Sequence, residues 1–185
     1  MLSDVDLKKY LLAERIRIDP AVRDEDIRPA GIRVHLSERI LVPRAGPTPI
    51  ELDGSVLPEF AECTIGEGGR LLAPGEFVLG ATREVIAADA DLICQIDGRS
   101  TLARLGLMAH LGSTMFDHIQ SEGRAVTLEL LNAGPFTINL KAGIPVALVT
   151  FTRLSSTVQQ PEYGQYEGQD RPVAPRLGFI QGTHK

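Results

Sequence analysis

Two arginines, two hydroxyls and a turn glycine crowd into the run Asp97-Gly-Arg-Ser-Thr-Leu-Ala-Arg-Leu-Gly-Leu107. Downstream, Val126-Thr-Leu-Glu-Leu places a carboxylate, Glu129, inside an apolar stretch. Together they could serve one small anionic substrate. Arg99 and Arg104 carry rigid forks of donors suited to phosphate oxygens, Ser100 and Thr101 add hydroxyls, and a carboxylate can take a proton from water. Ser100 and Thr101 open a segment whose Leu102, Leu105 and Met108 recur at helical spacing, which predicts a helix with the hydroxyls at its N-terminus. That end of a helix carries unpaired N–H groups and a partial positive charge, which favour a phosphate. The ordinary alternative stays open on these residues alone. A Gly-Arg-Ser turn can simply start a short helix, and a glutamate in a strand can simply face solvent.

The elements that must position these groups are mostly strands. Over Ala125 to Leu131, alternation turns Val126, Leu128 and Leu130 to one side and Thr127 and Glu129 to the other, away from the purely apolar face. Further strand-like runs, separated by Gly and Pro, cover 32–36, 39–42, 77–86, 92–96, 136–140 and 146–151. Phe136, Ile138 and Leu140 alternate with polar residues as in a half-buried strand, whereas 146–149 is continuously apolar and suits a strand buried on both faces. Leu2 to about Arg15 shows near-helical apolar spacing, opened by Ser3 or Asp4 as a cap, and Pro20 ends whatever precedes it. Many short strands with one or two short helices predict a mainly β protein, a compact sandwich or barrel. From Ser155 onward the chain turns polar and Gly/Pro-rich, the composition of a flexible tail. The expected organisation is a β domain over 1–154 followed by a tail over 155–185 that belongs to the same domain.

Composition bounds the function. At 185 residues the chain suits one domain with a sizeable core. Aromatics make up 5% and tryptophan is absent, so the core must rest on Leu, Ile, Val and Ala. A net charge of −5 disfavours a nucleic-acid polymer as partner, because such binding needs a basic face, yet it leaves room for a nucleotide held by a few local cations. Cys63 and Cys94 are isolated, with no Cys-x-x-Cys, and read as reduced residues of a cytoplasmic protein. The four histidines are too scattered to suggest a metal site; His110 reads as structural, and His118 as a loop residue. Neither four close zinc ligands nor the His-x-Glu with Pro-Cys-x-x-Cys of zinc deaminases is present, so any deamination must activate water without zinc. The N-terminus, with Asp4 and Asp6, does not resemble a signal peptide, and no apolar run approaches the roughly 18–20 residues that cross a bilayer.

Gly98-Arg-Ser-Thr-Leu-Ala-Arg-Leu-Gly-Leu107 closely resembles the signature of dCTP deaminases, relatives of the trimeric dUTPases. Met1-Leu-Ser-Asp-Val-Asp-Leu7, Ile16-Arg-Ile-Asp-Pro20, Pro74 to Glu84, Thr127-Leu-Glu-Leu-Leu-Asn132, Ala142-Gly143 and Tyr166-Glu-Gly-Gln169 resemble further family segments in the same order. The resemblance implies a dUTPase-like distorted β-barrel, or β-clip, and a homotrimer with sites between subunits. It implies that Glu129 is the general base and that Ser100 and Arg104 position the water and stabilise charge around C4 of the pyrimidine. Arg99, Ser100 and Thr101 would hold phosphate oxygens, Asp117 the deoxyribose hydroxyl, and Gln169 and Tyr163 would reach in from a tail that closes as a lid. Magnesium would arrive on the triphosphate rather than on a site of the protein.

The chain also departs from the family pattern. Asp117 is followed by His-Ile-Gln-Ser-Glu-Gly123, without the family's Pro-Gly-aromatic sequence and with two more residues before the strand. Gly112-Ser113 replaces a Thr-Ala, Arg33 replaces an acid, and Gln165 takes the place of a phosphate-binding lysine. The phosphate end and the catalytic trio look preserved while the base and sugar end looks rebuilt. Three activities are therefore expected in order: deamination of dCTP to dUTP; cleavage of dUTP to dUMP and diphosphate, alone or in addition; and nucleotide binding without turnover.

Overall fold

A computed structural model describes residues 1–116, 123–159, 166 and 168–177. In chain order the elements are α1 (Asp4–Leu12), β1 (Ile16–Asp19), a 3-10 turn (Asp24–Asp26), β2 (Ile27–Arg28), β3 (Gly31–His35), β4 (Arg39–Pro43) and β5 (Phe60–Thr64). There follow β6 (Arg70–Leu72), β7 (Phe77–Ala88), β8 (Leu92–Gly98), α2 (Ser100–Ala103), β9 (Leu107–Met108), β10 (Met115–Phe116), β11 (Arg124–Asn132), β12 (Ile138–Leu140) and β13 (Pro145–Arg153). One sheet runs β5-β4-β7-β11-β9 with β1 added on β7; a second runs β10-β8-β13-β3-β2; β12 and β6 form a small ribbon. Every pairing is antiparallel. The mainly β architecture with two short helices is the one expected.

The core lies between the two large sheets and is aliphatic, as the scarcity of aromatics requires. Ile32, Val34, Leu36, Ile40, Ile86, Leu92, Leu128, Leu130 and Val149 are buried around Phe151, the bulkiest fully enclosed side chain. β13, expected to be buried on both faces, is so only at its start: Val146 and Ala147 are both enclosed at a register break against β3, and beyond them Val149 and Phe151 face the core while Leu148, Thr150 and Thr152 stay partly exposed. Helix α1 starts where expected, with Ser3 accepting from the Asp6 N–H, but stops at Leu12 because Ala13 caps it and Glu14 turns into the left-handed region at φ 55°. Leu12 consequently stands exposed. The expected strand 136–140 begins only at Ile138, and Phe136 projects outward at 59% exposure. Its segment is a turn that the Asn132 side-chain amide holds by donating to the Phe136 carbonyl.

The larger correction concerns the signature segment. Leu102, Leu105 and Met108 do not lie on one helix. Helix α2 is a single turn, Gly106 follows at φ 88°, and Leu107–Met108 then pair with β11 as a strand. Gly106 is required there twice over, because a Cβ would meet the Gly134 backbone nitrogen at 2.3 Å and the backbone is left-handed. The close approach of Gly106 and Gly134 is what docks the turn onto the sheet.

Candidate active site

Glu129 lies in the middle of β11, a central strand between β7 and β9. Alternation works as the sequence implies around it: Leu128 and Leu130 are fully buried in the core, while Thr127 and Glu129 are half-buried on the other side. That side opens into a cavity of about 380 Å³, a size suited to a small molecule. Phe77, Leu79, Met115, Phe116, Val126 and Val173 give it apolar walls; Arg124, Thr127, Glu129, Tyr166 and Gln169 supply polar groups. The Leu111 N–H donates to Glu129 Oε2 at 3.1 Å, so the segment after β9 steadies the carboxylate.

The cavity also contains a residue that the sequence reading missed. Between Ala125 and Thr127 the register against β7 jumps from Val85 to Ala81, leaving Thr82, Arg83 and Glu84 opposite Val126. Such irregularities bend a strand and re-aim its side chains. Here Arg124 and Val126, which simple alternation would send to the core with Leu128, line the same cavity as Thr127 and Glu129. Arg124 is only 9% exposed.

A buried polar cluster holds the irregularity in place. The Thr82 hydroxyl accepts from the Val126 N–H at 2.8 Å and donates to the Glu84 carbonyl at 2.7 Å, filling the gap in the ladder. Glu84 takes the His35 N–H at 2.7 Å on one oxygen and the His35 Nδ1–H at 2.8 Å on the other. Arg83 donates to the same Glu84 carboxylate, and Arg23 binds Asp26 at 2.8 Å beside His35 Nε2. His35 therefore has a structural task that its sequence position did not announce.

The predicted phosphate ligands sit elsewhere. Arg99 occupies the N-cap position without a side-chain capping bond, and Ser100 and Thr101 are the exposed first residues of α2. A one-turn helix has little macrodipole, so any anion held here depends on side chains rather than on the helix end. Arg99 donates to the Pro145 carbonyl at 2.7 Å, and Arg104 is exposed after α2. None of Arg99, Ser100, Thr101 and Arg104 lines the cavity that holds Glu129. Within one chain the structure therefore gathers Glu129 and Gln169 but keeps the signature residues apart from them.

Gln169 reaches the strand directly. Its side-chain amide donates to the Ala125 carbonyl at 2.6 Å and to the Thr127 hydroxyl at 3.2 Å, while the Gln169 backbone carbonyl accepts from the Ala125 N–H at 2.9 Å. Gln169 Oε1 is buried without a hydrogen-bond partner. Tyr166 closes one side of the cavity, its hydroxyl accepting from the Arg176 N–H at 3.1 Å. The tail thus packs over β11 beside Glu129. Asp117 and Tyr163, expected to bind substrate, lie outside the described residues, as do His118, Gln165 and His184. His110 contacts Asp97 at 3.3 Å, at the edge of the signature turn. Among the described residues, no three His, Cys, Asp or Glu side chains converge as metal ligands, and no helix is long and apolar enough to cross a membrane.

Two antiparallel sheets around an aliphatic core, with a carboxylate-bearing strand opening on a small-molecule cavity, define a mainly β nucleotide-sized binding fold. The chain belongs to the dCTP deaminase-like family, whose model matches residues 1–154, and it is a dCTP deaminase-like hydrolase. It is 32% identical over 195 residues to a dCTP deaminase of Rhodospirillum rubrum, covering 98% of this chain and 99% of the relative. It is 36% identical over 188 residues to a protein of Streptomyces avermitilis named "dCTP deaminase, dUMP-forming", covering 95% and 94% of the two chains. Among solved structures, a 2'-deoxycytidine 5'-triphosphate deaminase from Agrobacterium tumefaciens aligns with a TM-score of 0.60 at 17% identity. That alignment spans 81% of this chain and 46% of the other, and shows a shared fold.

Proposed function

We propose that this chain is a cytoplasmic, zinc-independent hydrolase that converts dCTP to dUTP and ammonia, with Glu129 as general base. The observation that carries the reading is the position of Glu129: half-buried on a cavity wall, steadied on one oxygen by the Leu111 N–H. Its other oxygen is left to take a proton from a water lying against C4 of the pyrimidine. The water oxygen adds to C4, Glu129 passes the proton to the exocyclic amine, and the C4–N4 bond breaks to release ammonia. The remaining hydroxyl proton moves to N3, which completes the uracil ring. A carboxylate can do this work without a metal-bound hydroxide.

The signature groups come from a second copy. Ser100 and Arg104 position the water and stabilise charge at C4, and Arg99, Ser100 and Thr101 hold the phosphates of the magnesium-bearing nucleotide. Asp117 binds the sugar, while Tyr163 and Gln169 reach in from the tail. A homotrimer joins the two halves. The support for it is that the signature side chains are absent from the cavity of their own chain, and that Leu105, Met108 and Leu111, in the segment that follows them, are 41–46% exposed. Apolar side chains grouped on one segment favour an interface.

The test is chromatography of the purified protein after incubation with dCTP and Mg²⁺, with dUTP in a parallel reaction. Appearance of dUTP supports the proposal. A second reading, cleavage onward to dUMP and diphosphate, is favoured by the "dUMP-forming" relatives and predicts dUMP from both tubes. Nucleotide-dependent thermal stabilisation without product would instead leave a binding protein and sink both enzymatic readings.

A further inference from the structure

Resting on the deaminase reading, we propose that Arg124 contacts the base and makes this cavity prefer cytosine to uracil. The register break against β7 is what brings it there, and the Thr82 and Glu84–His35 contacts build that break from buried groups. An arginine that is 9% exposed carries a desolvation cost that a packing residue at the same place would avoid. It lies on the wall of the cavity that contains Glu129, and it already makes an interaction before any nucleotide enters. A guanidinium has five N–H donors, so engagement with one partner leaves donors for another.

The chemistry of the two bases then decides the preference. Cytosine presents adjacent acceptors, N3 and O2, which a guanidinium fork can meet together. Uracil replaces the N3 lone pair with an N3–H, so the same fork faces one acceptor and one donor. Arginine has no acceptor with which to adapt. Mispairing a buried polar group is costly, and sites built on hydrogen bonds discriminate more sharply than apolar ones. The arrangement also favours release of the uracil product after turnover.

Binding is measured on the full chain carrying Glu129→Gln, so that dCTP is not consumed, and compared with Glu129→Gln combined with Arg124→Gln or Arg124→Lys. The parent should bind dCTP at least about tenfold more tightly than dUTP. Both double variants should bring that ratio toward one, the lysine because an ammonium keeps the charge but loses the fork. In the protein with Glu129 intact, Arg124→Gln should raise KM for dCTP. The inference falls if the parent shows no preference, if the ratio survives both substitutions, or if both nucleotides weaken equally. Should Arg124→Gln fail to fold, the lysine variant decides. Failure of the wild-type protein to form either dUTP or dUMP from dCTP would overturn the deaminase reading, whereas the binding ratio judges Arg124 separately.

Discussion

In the proposed mechanism Glu129 is the residue on which the chemistry turns. Glu129→Gln keeps the shape of the side chain and its acceptor for the Leu111 N–H but removes the base. Turnover should fall by roughly 10²–10⁴-fold, the usual contribution of a positioned general base. Nucleotide affinity measured by calorimetry should change little. Arg99→Ala should do the opposite, weakening triphosphate binding and leaving kcat less affected, read from the KM and kcat of the purified variant. The side of the strand on which Glu129 falls was legible in the sequence because its neighbours alternate cleanly, whereas its role as base rests on the family resemblance. Arg124 was not, because alternation alone sends it to the core and only the unseen register break against β7 redirects it. The cysteines make a separate residue-scale prediction. Cys94 is fully buried, and burial pushes its thiol well above the usual range even though the Arg124 charge pulls the other way. A thiol reagent should therefore spare Cys94 in the native protein and react with half-buried Cys63, both becoming reactive in denaturant.

At the scale of elements, the signature turn depends on two glycines rather than on helix propensity. Gly106→Ala forces a Cβ against the Gly134 backbone and into a left-handed conformation. It should cost roughly 2–4 kcal/mol in urea denaturation, as overpacking and backbone strain add. An undamaged midpoint would mean that α2 and β9 are not docked this way. The same turn marks where sequence periodicity misled. Leu102, Leu105 and Met108 match a helical stripe, but Gly106 breaks it and Met108 pairs opposite Leu131 instead. Periodicity read the long strands better. The strands around β7, β8, β11 and β13 were visible to within a few residues, because each has one face in the core and enough length for the pattern to repeat. Phe136 was placed inward by alternation, yet the Asn132 amide, which donates to the Phe136 carbonyl and to the distant Leu72 carbonyl, holds its segment in a bend that apolar alternation does not display.

For the whole molecule, the decisive fact is a separation. Each chain carries Glu129 and Gln169 on one cavity wall and presents Ser100, Thr101 and Arg104 at an exposed turn outside it. If the catalytic set assembles only across a cyclic interface, two inactive variants should repair one another. Ser100→Ala retains Glu129; Glu129→Gln retains Ser100. After dissociation and reassembly of an equal mixture, each site has a one-half chance of receiving an intact signature turn and a one-half chance of receiving an intact Glu129. About one quarter of wild-type activity should return, provided that exchange is random around a closed ring. Each variant reassembled alone should stay inactive, which rules out recovery by refolding. A site built within one chain gives a different result, because no mixed assembly then unites the two intact residues. The mixture would remain as inactive as its parts, and the exposed Leu105, Met108 and Leu111 would need another explanation than contact with a second copy.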